Sequence, residues 1–148
     1  VVKLDEANWA FDNGNYGKAR NLFIEVTETS PNSPLSHFGL CKSYLQGRSF
    51  ALALNSCNKA IELNPKYVDP HSYRTAILLQ LKRYKEAERS ATETLALDER
   101  YSAYALRAEA RILTGDAEGA RADAEKALEL AANDEQRASA QSLLEKLP

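Results

Sequence analysis

Methionine is absent from all 148 residues, position 1 included. Such a chain is expected to be a processed product or an excised fragment. The fragment is favoured, because the first repeat described below opens with its leading helix already under way. Cysteine is nearly as scarce. Cys41 and Cys57 are the whole complement, too few for a secreted disulfide scaffold. No Asn-x-Ser/Thr acceptor occurs, since Asn32-Ser33 is followed by Pro34. These scarcities lean toward a reducing compartment, and a cytoplasmic location is the expectation. The residues show no signal-peptide core ahead of a small-residue cleavage site. No apolar run approaches the length of a membrane span, so direct membrane insertion is not expected. An excess of one charge is also lacking: 19 Lys and Arg stand against 21 Asp and Glu, a formal net charge of −2. A nucleic-acid binder needs a basic surplus for phosphate contacts, so nucleic acid is not an expected partner.

Glycine and proline are few as well, six and five residues, which excludes a loop-rich β-protein. Most of them stand at regular places. Pro31 and Pro65 each close a helix-like run, and Pro34 and Pro70 follow Ser33 and Asp69, good N-cap residues. Proline fits the first helical turn because its missing N–H has no partner there. Gly14, Gly47 and Gly115 sit in short breaks, each followed by a side chain able to cap the next helix: Asn15, Ser49 and Asp116. Arg83 holds that place in the third unit and is a poor cap. Between the breaks the pattern is helical, with Ala51, Leu54, Cys57, Asn58 and Ile61 recurring at spacings of three and four. Nothing alternates with period two long enough to make a strand.

What is present is a repeat. Ala19, Ala53, Ala87 and Ala120 align at spacings of 34, 34 and 33. Three residues before them stand Tyr16, Phe50, Tyr84 and Ala117; four after stand Phe23, Cys57, Ala91 and Ala124. Twelve after come Pro31, Pro65, Glu99 and Ala132. A small residue lets two antiparallel helices approach, an aromatic plugs the turn, and a proline stops the second helix. A second small-residue column holds Ala7, Cys41, Thr75 and Ala108. This pattern resembles the tetratricopeptide repeat (TPR) family over almost the whole chain. The second unit matches best, with Leu40-Cys41-x-x-Tyr44, Phe50-x-x-Ala53, Cys57, Ala60 and Pro65. The family's tryptophan column departs, holding Lys3, His37, His71 and Tyr104.

The expected fold is therefore all-α: a right-handed helical solenoid of four TPR helix pairs plus a C-terminal capping helix. Helices are expected at about 1–13 with 16–29, 34–46 with 50–63, 68–81 with 84–97, and 101–113 with 117–131. A ninth is expected near 135–147. The corresponding units are residues 1–33, 34–67, 68–100 and 101–134, with the cap at 135–148. The cap carries an apolar stripe of Ala140, Leu143, Leu144 and Leu147, suited to cover the last pair.

Catalytic chemistry finds no purchase. There is no phosphate-binding glycine loop, His-Glu-x-x-His or Cys-x-x-Cys. His37 and His71 share a column but lack Cys or carboxylate company, so neither a metal site nor a cofactor is expected. Cys41 and Cys57 fall in core columns and are expected as a buried pair of free thiols rather than a disulfide. The resemblance implies an inner groove lined by the first helix of each pair. Helical geometry assigns to it Asn8, Phe11, Phe38, Lys42, Leu45, Tyr73, Gln80, Leu106 and Glu109. Phe11, Phe38 and Tyr73 are the expected aromatic anchors. The implied function is a non-enzymatic protein-interaction scaffold whose groove takes a peptide or helical segment of a partner protein. The second reading is a homo-oligomerisation module. Family members that grip acidic chaperone tails use five basic or amide side chains. Here those places hold Leu4, Asn8, Gly39, Asp69 and Tyr73, and only Asn8 fits.

Overall fold

The computed structural model describes residues 2–148. Among them are nine α-helices and no strand. The helices are α1 (Val2–Asp12), α2 (Tyr16–Thr29), α3 (Pro34–Gln46), α4 (Phe50–Leu63), α5 (Val68–Gln80), α6 (Tyr84–Leu97), α7 (Tyr101–Thr114), α8 (Ala117–Leu130) and α9 (Asp134–Glu145). These bounds agree with the sequence periodicity to within two residues. The chain forms two compact units, the first ending at Ile77 and the second beginning at Leu78, so that α5 contributes to both.

In the first unit α1 packs on α2, α2 on α3, and α3 on α4. The two small-residue columns are what these contacts close upon. Ala7, Ala19, Cys41 and Ala53 have no exposed surface. Phe23 is the largest buried side chain here and fills the seam between α2 and α3. Its ring lies so near Gly39 that an added Cβ would overlap it. Glycine is required there by close approach, not by backbone freedom. In the second unit α6, α7, α8 and α9 pack in succession. Ala87, Ala108 and Ala120 are again without exposed surface, and Leu143 of α9 joins a core with Ala108 and Ala124.

One expectation is overturned. Cys41 and Cys57 are joined in a disulfide, their Cα atoms 5.2 Å apart, and no free thiol exists. Cys41 lies in the small column of α3 and Cys57 one turn beyond Ala53 on α4, and close helix approach brings them within bridging distance. The scarcity of cysteine was a ground for a reducing compartment only if the thiols were free, and that ground is withdrawn. The capping expectations are met in part. Asn15 accepts a hydrogen bond from the Lys18 amide and Asp116 from the Gly119 amide, but Ser49 makes no side-chain cap bond. Arg83 makes none either, and instead pairs with Glu86.

Each turn within a helix pair uses one left-handed residue, at Gly14, Arg48, Lys82 and Gly115. Two are glycines; Arg48 (φ 57°) and Lys82 (φ 60°) bear a Cβ there. In the second pair the left-handed residue is thus not Gly47, which has φ −79°. A left-handed conformation costs a Cβ-bearing residue roughly 1–2 kcal/mol. Replacing Lys82 by Gly should stabilise the chain by up to about 1 kcal/mol, after allowing for the glycine's greater unfolded freedom. Gly39→Ala should destabilise it by about 1–3 kcal/mol through overpacking against Phe23. Urea midpoints of both variants check the pair of signs. A comparison with and without reductant checks the disulfide, whose loss should cost about 2–4 kcal/mol.

Candidate functional site

The expected groove residues are best gathered in the first unit. Phe11 near the end of α1, Phe38 and Lys42 on α3, and Tyr73 on α5 form one continuous cluster. The Lys42 ammonium stands 4.8 Å from the Phe11 ring centroid and 5.1 Å from that of Phe38. A cation between two ring faces is held by their negative quadrupoles. Phe38 meets Tyr73 edge-on at 5.1 Å and Tyr67 at 5.3 Å, and Phe11 meets Tyr16 at 5.1 Å. Burial, with Asp69 nearby, pushes the Tyr67 and Tyr73 phenols above their ordinary pKa, which keeps both rings neutral and donor-capable.

The cluster does not treat its three aromatics alike. Phe11 and Tyr73 are half-buried, as are Asn8, Lys42 and Leu45. Phe38 is only 6% exposed. It is the floor of the cluster rather than an accessible anchor, because Tyr67, Tyr73 and Lys42 cover it. Helical geometry placed Phe38 on the right face of α3, but could not show how closely α5 would lie over it.

The remaining three residues, Gln80, Leu106 and Glu109, belong to the second unit. Leu106 and Glu109 line a groove between α7 and α9, with Tyr101, Ala105, Ser139 and Leu143 among its other walls. Tyr101 donates its hydroxyl to the Gln136 carbonyl at 3.0 Å, which holds the start of α9 against α7. Gln80 is exposed and is not part of that wall.

A charged network in the second unit escaped the sequence reading. Asp123 on α8 is 3% exposed. It takes both oxygens to Arg107, at 2.9 and 2.7 Å, and one also to Arg111 at 2.8 Å. Arg107 reaches Thr92 at 3.1 Å and Arg111 reaches Glu88 at 3.1 Å, so the network ties α6, α7 and α8. The hydrogen bond to Asp123 raises the Arg107 guanidinium above its ordinary pKa, so this cation stays charged throughout the accessible range. The signal was present: Asp123 interrupts the buried stripe of Ala120, Ala124 and Ala127, while Arg107 and Arg111 are one turn apart.

The two histidines have a structural task. The ring nitrogen Nε2 of His37 lies 2.8 Å from the Pro31 carbonyl, and that of His71 lies 2.8 Å from the Pro65 carbonyl. The ring N–H donates there and latches each helix pair to the loop before it. Among the described residues no group of three or more His, Cys, Asp or Glu side chains could hold a metal ion. Nor is any described helix long and apolar enough to cross a membrane.

Successive antiparallel helix pairs, closed on columns of small residues and repeated every 33 or 34 positions, define a helical-repeat protein of the solenoid class. The chain belongs to the tetratricopeptide repeat family: models described as tetratricopeptide repeat match residues 4–68 and 101–134. Human RNA polymerase II-associated protein 3 is 26% identical over 98 residues, which cover 66% of this chain and 15% of that protein. The chain therefore spans a small part of that relative. A thermophilic TPR protein of Thermus thermophilus superposes with a TM-score of 0.78 at 24% identity, over 93% of this chain and 77% of that one. The first TPR of Spaghetti (RPAP3), bound to the HSP90 peptide SRMEEVD, superposes with a TM-score of 0.71 at 25% identity. That likeness covers 78% of this chain and 90% of that one.

Removing the Asp123 carboxylate takes the ion-pair partner of Arg107 out of a largely buried seam and leaves Arg111 only Glu88 and Asp116. Asp123→Ala should cost about 3 kcal/mol or more of stability. Lys59→Ala, which breaks an exposed pair with Glu62, should cost under about 0.5 kcal/mol. Thermal or urea unfolding of the two variants side by side measures the difference.

Proposed function

We propose that the chain is a protein-interaction scaffold, without catalysis of its own. Its first unit takes an extended or helical segment of a partner protein that carries at least one large apolar side chain. Its array is assigned as four repeat units, 1–33, 34–67, 68–100 and 101–134, with residues 135–148 as a cap. The observation that carries the reading is the half-open cluster of Phe11, Lys42 and Tyr73 on the buried floor of Phe38. Aromatic anchors beside a few polar groups are what peptide-binding surfaces offer. Asn8 and Lys42 supply one amide and one ammonium, enough to orient a segment rather than to hold it by charge.

A likeness to a TPR bound to an HSP90 peptide supports a peptide ligand, but an acidic tail does not follow from it. The places that would grip carboxylates hold Leu4, Gly39, Asp69 and Tyr73 beside Asn8. Gly39 has no side chain and lies under Phe23, and Asp69 has the wrong sign. Leu106 and Glu109, in the groove between α7 and α9, are proposed as a second, subsidiary contact surface.

Selection of peptides from a random displayed library on the intact chain tests the reading. Enriched peptides should share a large apolar residue and bind a Phe11→Ala or Tyr73→Ala variant roughly tenfold more weakly, the loss of about 1–2 kcal/mol that a central anchor carries. Lys42→Ala should lose less, and its effect should shrink with added salt. Selected peptides that bind the parent and both aromatic variants equally would remove this cluster as the site. Phe38→Ala should instead lower stability, since its ring is core.

A further inference from the structure

The four turns within the helix pairs close in one way. The amide of the left-handed residue donates to a carbonyl three residues back, and the next amide to one five back. In the first turn these bonds run from Gly14 to Phe11 and from Asn15 to Ala10, both at 2.9 Å. In the third they run from Lys82 to Leu79 at 3.0 Å and from Arg83 to Leu78 at 2.9 Å. The geometry accepts a Cβ at the left-handed place, since Arg48 and Lys82 carry one. What sets the first turn apart is its chemistry. Ahead of the left-handed place stand Asn13, Gly47, Leu81 and Thr114, and Asn13-Gly14 is the only Asn-Gly pair in the chain. Asn13 is exposed. Around Gly14 the space is open, and a Cβ there would meet nothing within 4 Å.

An asparagine side chain and the amide nitrogen that follows it can close a five-membered ring. The Gly14 nitrogen, once its proton is lost to solvent, attacks Asn13 Cγ. The N–Cγ bond forms, the Cγ–Nδ2 bond breaks, and the side-chain NH2 leaves as ammonia with a proton from solvent. Water then opens the cyclic imide. Cleavage at Cγ gives aspartate, and cleavage at the main-chain carbonyl gives isoaspartate, with the chain routed through the side chain. Nothing is oxidised or reduced. A side chain on the attacking residue crowds this approach, and glycine has none. Two hydrogen bonds hold the turn off the path. Asn13 Nδ2 donates to the Trp9 carbonyl at 2.8 Å, and the Gly14 amide is tied to Phe11. Both belong to the last turn of α1, and helix ends fray readily.

We propose that Asn13 is a site of spontaneous modification, which forms a cyclic imide with Gly14 and opens to aspartate and isoaspartate. The products alter the turn. A carboxylate at position 13 cannot donate to the Trp9 carbonyl. It also adds negative charge at the C-terminal end of α1, where the helix dipole is already negative. Isoaspartate lengthens the main chain inside the loop that Asn15 and Ala10 close. Phe11 and Tyr16, whose rings meet across this turn at 5.1 Å, then lose their fixed spacing.

The test is prolonged incubation of the intact, folded chain at mildly alkaline pH. Peptide mass mapping follows each asparagine, and a carboxyl methyltransferase specific for isoaspartate detects the rearranged product. Asn32 is the internal control, exposed and in a loop but followed by Ser33. Residue 13 should exchange NH2 for OH severalfold faster than Asn32, with isoaspartate among the products. This comparison needs no variant. Gly14→Lys copies the third turn, and circular dichroism checks that its fold is retained. Its conversion at residue 13 should fall to the level of Asn32. The converted parent chain, separated by anion exchange through its added charge, should unfold at a lower urea concentration than the fresh chain. Conversion at Asn13 no faster than at Asn32, an unchanged rate in folded Gly14→Lys, or aspartate without isoaspartate overturns the proposal. An unchanged urea midpoint in the converted chain overturns the stated effect on the turn.

Discussion

The distance at which two helices can pass governs this molecule. Two columns of small residues, one on each helix of a pair, have no exposed surface at Ala7, Ala19, Cys41, Ala53, Ala87, Ala108 and Ala120. One turn beyond Ala53 the paired backbones close to within the reach of a disulfide, as the 5.2 Å between the Cys41 and Cys57 Cα atoms shows. At the seam between pairs the requirement tightens to glycine, because Phe23 occupies the volume any Cβ at Gly39 would need. Interiors are packed too densely to absorb such an overlap without a backbone shift. The rest of each unit is arranged around these contacts. Side chains that point away from the columns are left for the turn, for the inner face, or for solvent.

The two units meet that constraint with different chemistry. The first combines aromatic rings with one ammonium: Tyr16, Phe11, Lys42, Phe38 and Tyr73 form a run of ring–ring and cation–ring contacts. The second is richer in alanine and has little large apolar volume with which to set its helix spacing. There a carboxylate with two guanidiniums fixes three helices at once. A buried ion pair contributes little net stability over a well-packed apolar equivalent, but it defines one geometry and penalises others. Specific geometry is what Ala-rich helices, with nearly featureless sides, would otherwise lack. The rings of the first unit hold position by shape, and so can remain partly open to a ligand. The ions of the second are saturated by one another and have nothing left to offer.

Period and capping made the helices legible from residues alone, because each rests on local chemistry within one or two turns. Ala19, Ala53, Ala87 and Ala120 announce the pairing, and the breaks at Gly14 and Gly115 announce the turns. Features that depend on a second helix's position were not legible in the same way. Phe38 lies on the expected face of α3, yet whether it is anchor or floor depends on α5 and Tyr67. The disulfide was misjudged because a count of two cysteines says nothing about the separation that the small columns impose. Asp123 was passed over because a lone carboxylate in a helix reads as solvated until its arginine partners on α7 are placed. The left-handed turn residue fell on Arg48 rather than Gly47 because composition marks where a break occurs, not which residue turns it.

The repeat explains why its own exceptions are informative. A position that is buried in three first helices, and exposed in the fourth, is not an ordinary surface position. Ser43, Ile77 and Ala110 show what the column holds when it is covered: side chains from small to medium, without charge and almost without exposed area. Trp9 obeys the apolar part of that rule and breaks the size part, while Asp5 and Asp12 add a sign the other stripes do not carry. If α1 only had to face water, a polar residue at position 9 would serve and an indole would be a liability. If it only had to repeat the internal seam, a small residue would serve. A large, amphipathic ring between two carboxylates satisfies neither demand alone.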